Sequence, residues 1–231
     1  MSEIIPQKKD SIKILLLCSY DRDTLGIVGK LSNQIIRDYG SEDYEWSGRI
    51  VPVIARNVRV YHTKSGSHHY CIFSQRYKDK WSSVFFKNAT IVDRMQCTNA
   101  DHEELLKEAE RIVIGHRGDI IEMKATLKII ELSKWSDIIF ITKIKPLTKG
   151  GELIELTMIV CRYLFQGDTT VNKVVLFRKK GIKLSWMAKE MTELGKIRTH
   201  KFEGYEELWE LARKELEVLM KKKGFKMTPI H

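Results

Sequence analysis

The apolar residues of the chain begin with a nearly continuous run, IKILLLC, at residues 12–18. Such a run is typical of a strand that is buried on both faces of a parallel sheet. Residues 19–24 are polar, and apolar residues then recur at helical spacing, at Leu25, Val28, Leu31, Ile35 and Ile36. Gly40 follows and suits a helix C-cap. The pattern predicts a strand, a polar loop and a helix.

The same order of elements returns in the second half of the chain. Apolar runs at residues 136–142 and 173–177 and a short β-type run at 197–202 predict three more strands. Helical patterns follow them at residues 152–165, 185–194 and 205–223. Alternating strands and helices of this length imply right-handed βαβ crossovers and a parallel sheet covered on both faces. We therefore expect an α/β protein with a Rossmann-like, flavodoxin-like sheet flanked by helices.

The middle of the chain has a different texture. Residues 46–92 contain short runs of β-branched and aromatic residues, separated by polar segments, which predict strands or hairpins. Helical patterns follow at residues 101–114 and 119–134. We expect one α/β domain over residues 1–231, with a β-rich, basic insertion at 46–92 after the first βα unit.

Ligands of open parallel sheets bind outside the carboxyl ends of the strands, which here selects the loops at residues 19–24, 142–155 and 178–185. The first loop matches neither G-x-G-x-x-G nor the P-loop, so no cofactor is indicated. Its candidate ligand-binding residues are Ser19, Asp21, Arg22 and Thr24, and the following helix N-terminus could hold a phosphate. The alternative is that an aspartate of this loop only caps the helix.

The second loop places Gly150 and Gly151 between a buried strand and a helix, and both glycines are candidate ligand-binding residues. The helix dipole alone accounts for Glu152, but Glu155 lies in an otherwise apolar run, LIELTMIV. Burial of a carboxylate costs free energy and produces the raised pKa that is useful in catalysis. Glu155 is therefore the candidate catalytic residue. The alternatives are a carboxylate held by an Arg or Lys, or an exposed helix face.

The segments SDIIFI at residues 136–141 and GELIEL at 151–156 resemble the nucleoside 2-deoxyribosyltransferase family and the related TIR-like nucleotide-processing domains. These families share a strand that opens with an aspartate, a loop, and a helix beginning G-T-x-x-E-L. The glutamate of that motif works at the glycosidic carbon. The segment KILLLCSYDRD at residues 13–23 is similar to the first βα unit of a TIR-like domain.

The resemblance implies that Glu155 is a nucleophile or a transition-state carboxylate, since one carboxylate can capture or stabilise an oxocarbenium-like sugar. It also implies that Asp137 lies near the cleft at a strand start and that Ser19 belongs to a ribose or phosphate loop. Glu152 stands where the motif has threonine, and residues 46–92 have no counterpart in the family pattern.

The β-rich segment is also basic and aromatic. Seven Lys or Arg residues and one acid lie between positions 49 and 80, interleaved with tyrosines. Cations and flat rings at strand spacing are what a single-stranded nucleic acid needs. The candidate nucleic-acid-binding residues are Arg56, Arg59, Arg76, Lys78 and Trp81. The alternative is an edge hairpin that charge protects from aggregation.

The charge balance also favours anionic partners, because 40 Lys and Arg against 30 Asp and Glu give a formal net charge of +10. A Lys-, Glu- and Ile-rich composition is equally typical of heat-adapted, thermophilic proteins. The four cysteines include no C-x-x-C pair, so we expect reduced, buried thiols and no metal site.

No stretch reaches the roughly 18 apolar residues of a membrane span, and the N-terminal segment lacks the layout of a secretory signal. These features predict a cytoplasmic protein without a membrane partner.

Two functions are compatible with the sequence. The first is a nucleotide- or nucleoside-binding protein that cleaves or transfers at an N-glycosidic bond. The second is a non-enzymatic nucleic-acid-binding or regulatory protein that uses residues 49–81. The sequence does not decide between an enzyme and a binding protein, and it leaves a homo-oligomer open.

Overall fold

A computed structural model describes residues 12–19, 21–39, 50–66, 69–77, 80–87, 90–97, 103–104, 107–108, 110–111, 120–146 and 151–225. For residues 69, 75–77, 80–87, 90–97 and 151–153 the description is of the backbone. The chain divides into two compact units. The second unit is Val53–Leu132, and the first contains the chain on either side of it.

Ten strands and five α-helices follow one another in the described parts of the chain. The strands are β1 (Ile12–Cys18), β2 (Ile50–Ile54), β3 (Val58–Thr63), β4 (His69–Tyr77), β5 (Lys80–Lys87), β6 (Thr90–Cys97), β7 (Ile120–Glu122), β8 (Ile138–Lys143), β9 (Val174–Lys179) and β10 (Arg198–Phe202). The helices are α1 (Arg22–Tyr39), α2 (Ala125–Trp135), α3 (Gly151–Gln166), α4 (Trp186–Leu194) and α5 (Tyr205–Lys222). Short 3₁₀ helices lie at Ala55–Asn57 and Thr169–Lys173.

The first unit contains a five-stranded parallel sheet in the order β2-β1-β8-β9-β10. Its pairs β1–β8, β8–β9 and β9–β10 are parallel, with Leu16 opposite Phe140 and Ile141 opposite Leu176. Numbered by chain order within this sheet, the strands run 2-1-3-4-5, which is the flavodoxin-like doubly wound arrangement. The predicted fold class is confirmed.

These strands are apolar along nearly their whole length because helices cover the sheet on both faces. All six residues of β8 are buried, as are all residues of β1 except Lys13. Phe140 and Phe177 meet edge to face on neighbouring strands, with ring centroids 5.1 Å apart. An apolar run without alternation is what burial on both faces requires.

The two helices beside the centre of the sheet lie on opposite faces. Helix α1 leads from β1 outward to β2, whereas α3 leads from β8 in the other direction to β9. Right-handed crossovers in opposite directions put their helices on opposite faces. Both helices contact β1 and β8. Helix α5 joins α1, since the rings of Tyr39 and Trp209 lie 6.2 Å apart and the Tyr205 hydroxyl donates to the Lys30 carbonyl.

The second unit contains a five-stranded antiparallel sheet in the order β6-β5-β4-β3-β7. Val58, Val60, Ile72 and Phe73 are buried in its core. Helical residues occur within the predicted helix at 101–114. This sheet is the predicted β-rich insertion, which comes after the first βα unit and the parallel strand β2.

Residues 119–134 do not form the single helix that their spacing predicts. Residues Ile120–Glu122 form β7, which pairs with β3, and α2 begins only at Ala125. Hydrogen bonds to a strand almost 60 positions earlier outweigh the local helical periodicity.

Cys18, Cys71 and Cys161 are free thiols. Cys18 is buried, and burial raises the pKa of Cys71 to about 12. Within the described residues, no group of three His, Cys, Asp or Glu side chains is placed to hold a metal ion. None of the described helices combines the length and the apolar character that a membrane crossing requires.

Candidate functional site

The strand order reverses between β1 and β8, so their carboxyl ends mark the topological switch point of the sheet. Strand β1 ends at Cys18 and β8 at Lys143. Helices α1 and α3 start beyond these ends, at Arg22 and Gly151, on opposite faces of the sheet. The described parts of the first two predicted loops therefore lie at the same edge, which we call the carboxyl edge.

Asp21 organises the first loop. Its Oδ2 accepts hydrogen bonds from Ser19 Oγ at 2.8 Å and from Thr24 Oγ1 at 2.6 Å. Its Oδ1 accepts from the Thr24 backbone N–H at 3.1 Å, which makes Asp21 the N-cap of α1. Ser19 and Thr24 are both buried. The capping role that the sequence left open is present, and it fixes two buried hydroxyl groups at the carboxyl edge.

Lys145 connects this loop to the segment after β8. Its Nζ lies 3.1 Å from Asp21 Oδ1 and 2.6 Å from Asp23 Oδ2. Partial burial raises the pKa of Asp21, but hydrogen bonds from Thr24, Ser19 and Lys145 outweigh it and hold that pKa well below its ordinary value. Hydrogen bonds to Asp23 and Asp21 in turn raise the pKa of Lys145. The loop therefore contains a permanent anion with a fixed cation beside it.

Glu155 lies on the buried face of α3. Only 6% of the residue is exposed, and its neighbours on that face are the buried Leu156, Ile159 and Val160. This face contacts β1 and β8, the strands on either side of the switch point. The exposed helix face, one of the alternatives for Glu155, is excluded. A buried carboxylate in the second turn of α3 remains.

The carboxyl edge also contains cations that the sequence pattern did not single out. Lys143 is the last residue of β8 and only 1% exposed, and it lies opposite Arg178 of β9 in the register. Arg178 in turn lies opposite Lys201 of β10. The available signal was a cation that ends an apolar strand, as in IIFITK and VVLFRK.

Asp137 lies at the other end of β8, away from the other candidates of the crevice. It directly precedes the strand, whose six residues span roughly 20 Å. There its Oδ2 accepts from the Lys13 backbone N–H at 2.8 Å, and its Oδ1 from Lys223 Nζ at 2.6 Å. These bonds fasten the amino ends of β1 and β8 to the end of α5.

Two further candidates of the crevice lie at the starts of helices. Arg22 is the exposed first residue of α1, and Gly151 is the first residue of α3. Gly150 lies outside the described residues.

The candidates of the basic segment belong to the second unit. Arg56 is exposed on the 3₁₀ helix, whereas Arg59 forms an ion pair with Glu110. The Tyr61 hydroxyl donates to the same carboxylate at 2.9 Å, and burial and this hydrogen bond raise the pKa of Tyr61. The backbones of Arg76 and Trp81 lie opposite each other on β4 and β5, and Lys78 lies outside the described residues.

Comparison with protein-family models, with curated proteins and with solved structures finds no match to this chain. The chemistry of the carboxyl edge is therefore the basis for assigning a function.

Proposed function

We propose that this chain binds a nucleoside or nucleotide at the carboxyl edge and acts on its N-glycosidic bond through Glu155. The observation that carries the proposal is the burial of this carboxylate on α3, the helix that covers the switch point. Ligands of doubly wound sheets bind at such points. A desolvated carboxylate beside a ligand crevice is a common feature of catalytic sites.

The first loop offers contacts for a sugar. The hydroxyl hydrogens of Ser19 and Thr24 are both donated to Asp21, so each hydroxyl oxygen keeps an acceptor position. A ribose hydroxyl donates to the Ser19 oxygen, whereas Thr24 is 0% exposed and holds the loop from inside. Because Asp21 fixes the hydroxyl groups before a ligand binds, little free energy is spent on ordering the loop during binding.

The carboxylate of Glu155 suits the bond that we propose to be broken. When the bond between C1′ and the base nitrogen breaks, its electron pair leaves with the base and C1′ acquires oxocarbenium character. The anionic carboxylate stabilises this charge or bonds to C1′ as a glycosyl ester. Water then supplies oxygen to C1′, and a proton is delivered to the base. In a transferase, a second base takes the place of water.

The test is to incubate the protein with nucleosides, deoxynucleosides, nucleotides and NAD, and to measure binding by calorimetry and release of the base by chromatography. Glu155→Gln keeps the shape of the side chain but removes its negative charge. We expect this variant to lower turnover by about 100-fold or more.

The matched control is Glu206→Gln. Glu206 is a first-turn glutamate of α5 with 85% of its side chain exposed, so its substitution should leave turnover unchanged. Thermal unfolding of both variants checks that they fold. Equal turnover in the wild type and in Glu155→Gln, or no binding of any of these compounds, would contradict the proposal.

A further inference from the structure

Three basic side chains stand side by side at the carboxyl edge. The β-sheet register pairs Lys143 with Arg178 and Arg178 with Lys201, so the three lie on adjacent strands. Neighbouring strands are about 4.8 Å apart. We call these three residues the cation row.

The cation row lies on the α3 side of the sheet. Phe177, which precedes Arg178, stacks on His200 with ring centroids 5.6 Å apart. His200 Nε2 lies 2.7 Å from Glu215 Oε1 of α5, so Phe177 and His200 face α5. Successive residues of a strand point to opposite faces. The cation row therefore faces the side that α3 covers, where Glu155 is buried.

Arg178 has unused hydrogen-bonding capacity. Its Nη1 donates to the Ile182 carbonyl at 2.6 Å and so fixes the turn after β9. Its Nε is buried and has no acceptor among the described residues. A buried donor without an acceptor costs free energy, and such a group calls for an explanation, for example a bound ion.

Two neighbouring cations of the carboxyl edge, in contrast to Arg178, are paired with carboxylates. Lys145 is held by Asp21 and Asp23, and Lys180 by Glu203 and Glu207. Arg178 and the exposed Lys201 form no ion pair within the part of the chain that the structure describes.

The charge of the row matches a phosphate monoester. The row carries three positive charges, and Glu155 is the one buried carboxylate among the described residues. Arg178 and Lys201 have no carboxylate partner among the described residues, so at least these two charges are available to an anion. A phosphate monoester carries about −1.5 to −2 at pH 7, and the arginine fork presents paired donors to phosphate oxygens.

We infer that the cation row is a phosphate subsite, and that the preferred ligand is a nucleoside monophosphate rather than a nucleoside. The nucleoside half of this inference rests on the proposed function. The phosphate half stands on the cation row and can be tested with inorganic phosphate alone.

The experiment compares inorganic phosphate, nucleosides and their 5′-monophosphates by calorimetry on the full chain. Arg178→Gln should weaken binding of inorganic phosphate and of monophosphates by roughly 10- to 100-fold, the effect of losing a hydrogen bond between charged groups. Nucleoside binding should not change. Arg178→Lys, which keeps the charge but loses the fork, should recover part of the loss.

The matched control is Lys179→Gln. Lys179 is the next residue of β9 and points to the other face, so its substitution removes the same charge one position away. Phosphate affinity should stay within about threefold, because exposed charges act weakly through solvent. Thermal unfolding of each variant checks that it folds.

The outcomes separate the two proposals. Equal affinity for nucleoside and monophosphate without binding of inorganic phosphate overturns the subsite and leaves the proposed function intact. An equal loss of phosphate affinity in Lys179→Gln and Arg178→Gln also overturns the subsite. Such a result indicates that phosphate responds to the overall positive charge and not to a defined site. Phosphate binding that is sensitive to Arg178, without any binding of nucleosides or release of a base, supports the subsite and refutes the proposed function.

Discussion

At the scale of single residues, Asp21 determines the form of the loop between β1 and α1. Its two carboxylate oxygens accept from both hydroxyl groups of the loop and from a backbone N–H of the first turn, and they also bind Lys145. Hydrogen bonds from so many donors stabilise the anionic form of the carboxylate relative to its neutral form. The same residue therefore links the stability of α1 to the geometry of the proposed sugar contacts.

Asp21→Ala should lower the free energy of unfolding by about 1–2 kcal/mol at pH 7, through loss of the helix cap. The pKa of Asp21 in the folded protein lies below its ordinary value of 3.8. The unfolded chain thus binds this proton more readily, and the stabilisation is complete above the ordinary pKa. The difference between variant and wild type should shrink as the pH falls below about 4. Urea titrations between pH 3 and 7 measure it.

Asp23→Ala is the control for this experiment. Asp23 is 67% exposed and contacts Lys145. Its removal should change stability by about 0.5 kcal/mol or less. A difference between Asp21→Ala and wild type that grows with acidification would refute the assigned direction of the pKa.

The contrast between Glu155 and the cation row marks how far single residues can be predicted from the sequence. Glu155 interrupts an apolar run, so the local pattern indicates burial as one of its environments, beside an exposed helix face. Lys143, Arg178 and Lys201 are up to 58 positions apart in the sequence. Lys143 and Arg178 fall within two of the loops predicted at the crevice. Only the strand register shows that all three cations lie side by side on one face, and no local pattern encodes that register. The resemblance implies that Asp137 lies near the crevice, but the structure places it at the other end of β8. Asp137 precedes a strand, and the starts of parallel strands lie at the edge opposite the crevice.

At the scale of elements, the local sequence pattern predicts a strand or helix correctly where the whole element has the same surroundings. Strand β1 is found at the predicted residues, 12–18, because burial on both faces leaves an apolar run with clear ends. Helix α4 begins after Ser185, whose Oγ accepts from the Ala188 N–H at 3.2 Å, as a capping signal suggests.

Local pattern is insufficient where distant pairing decides the structure. The run VPVIARNVRVYH reads as one β-type segment, but the 3₁₀ helix Ala55–Asn57 divides it between two sheets. Strand β7 likewise exists because β3 pairs with it. Both cases depend on partners far away in the chain, which local periodicity does not identify.

Packing at the end of α4 gives a prediction for Gly195. A Cβ there would lie 3.0 Å from the Cγ2 atoms of both Val160 and Val171. The backbone φ of −79° is accessible to any residue, so steric crowding is the cost of a side chain. Gly195→Ala should lower the free energy of unfolding by about 1–3 kcal/mol. Adding Val160→Ala should recover part of this loss in denaturant titrations.

Gly26→Ala is the opposite case. Gly26 is exposed in α1, and a Cβ there would meet nothing within 4 Å. Alanine is the better helix former, so this variant should gain about 0.5–1 kcal/mol. Equal effects of the two glycine substitutions would contradict the packing of α4 described above.

At the scale of the whole molecule, a net charge of +10 predicts that polyanions bind in a salt-dependent way. The nucleic-acid-binding function that the sequence left open depends on which cations are available for phosphates. An arginine that is already paired with a carboxylate gains less from a phosphate than a solvated one. In the second unit, Arg59 is paired with Glu110, whereas Arg56 is exposed and has no ion pair with any residue that the structure describes.

This difference gives a prediction for single-stranded RNA or DNA. If the β-rich segment binds it, Arg56→Gln should reduce the slope of log affinity against log salt by about 0.7, the contribution of one phosphate contact. Arg59→Gln should leave the slope nearly unchanged, because its partner Glu110 already neutralises it. Fluorescence anisotropy with a labelled oligonucleotide at several salt concentrations measures both slopes. If the two variants change the slope equally, the ion pair does not withhold Arg59 from phosphates. If neither variant changes it, the attraction belongs to the net charge of the molecule and not to the β-rich segment.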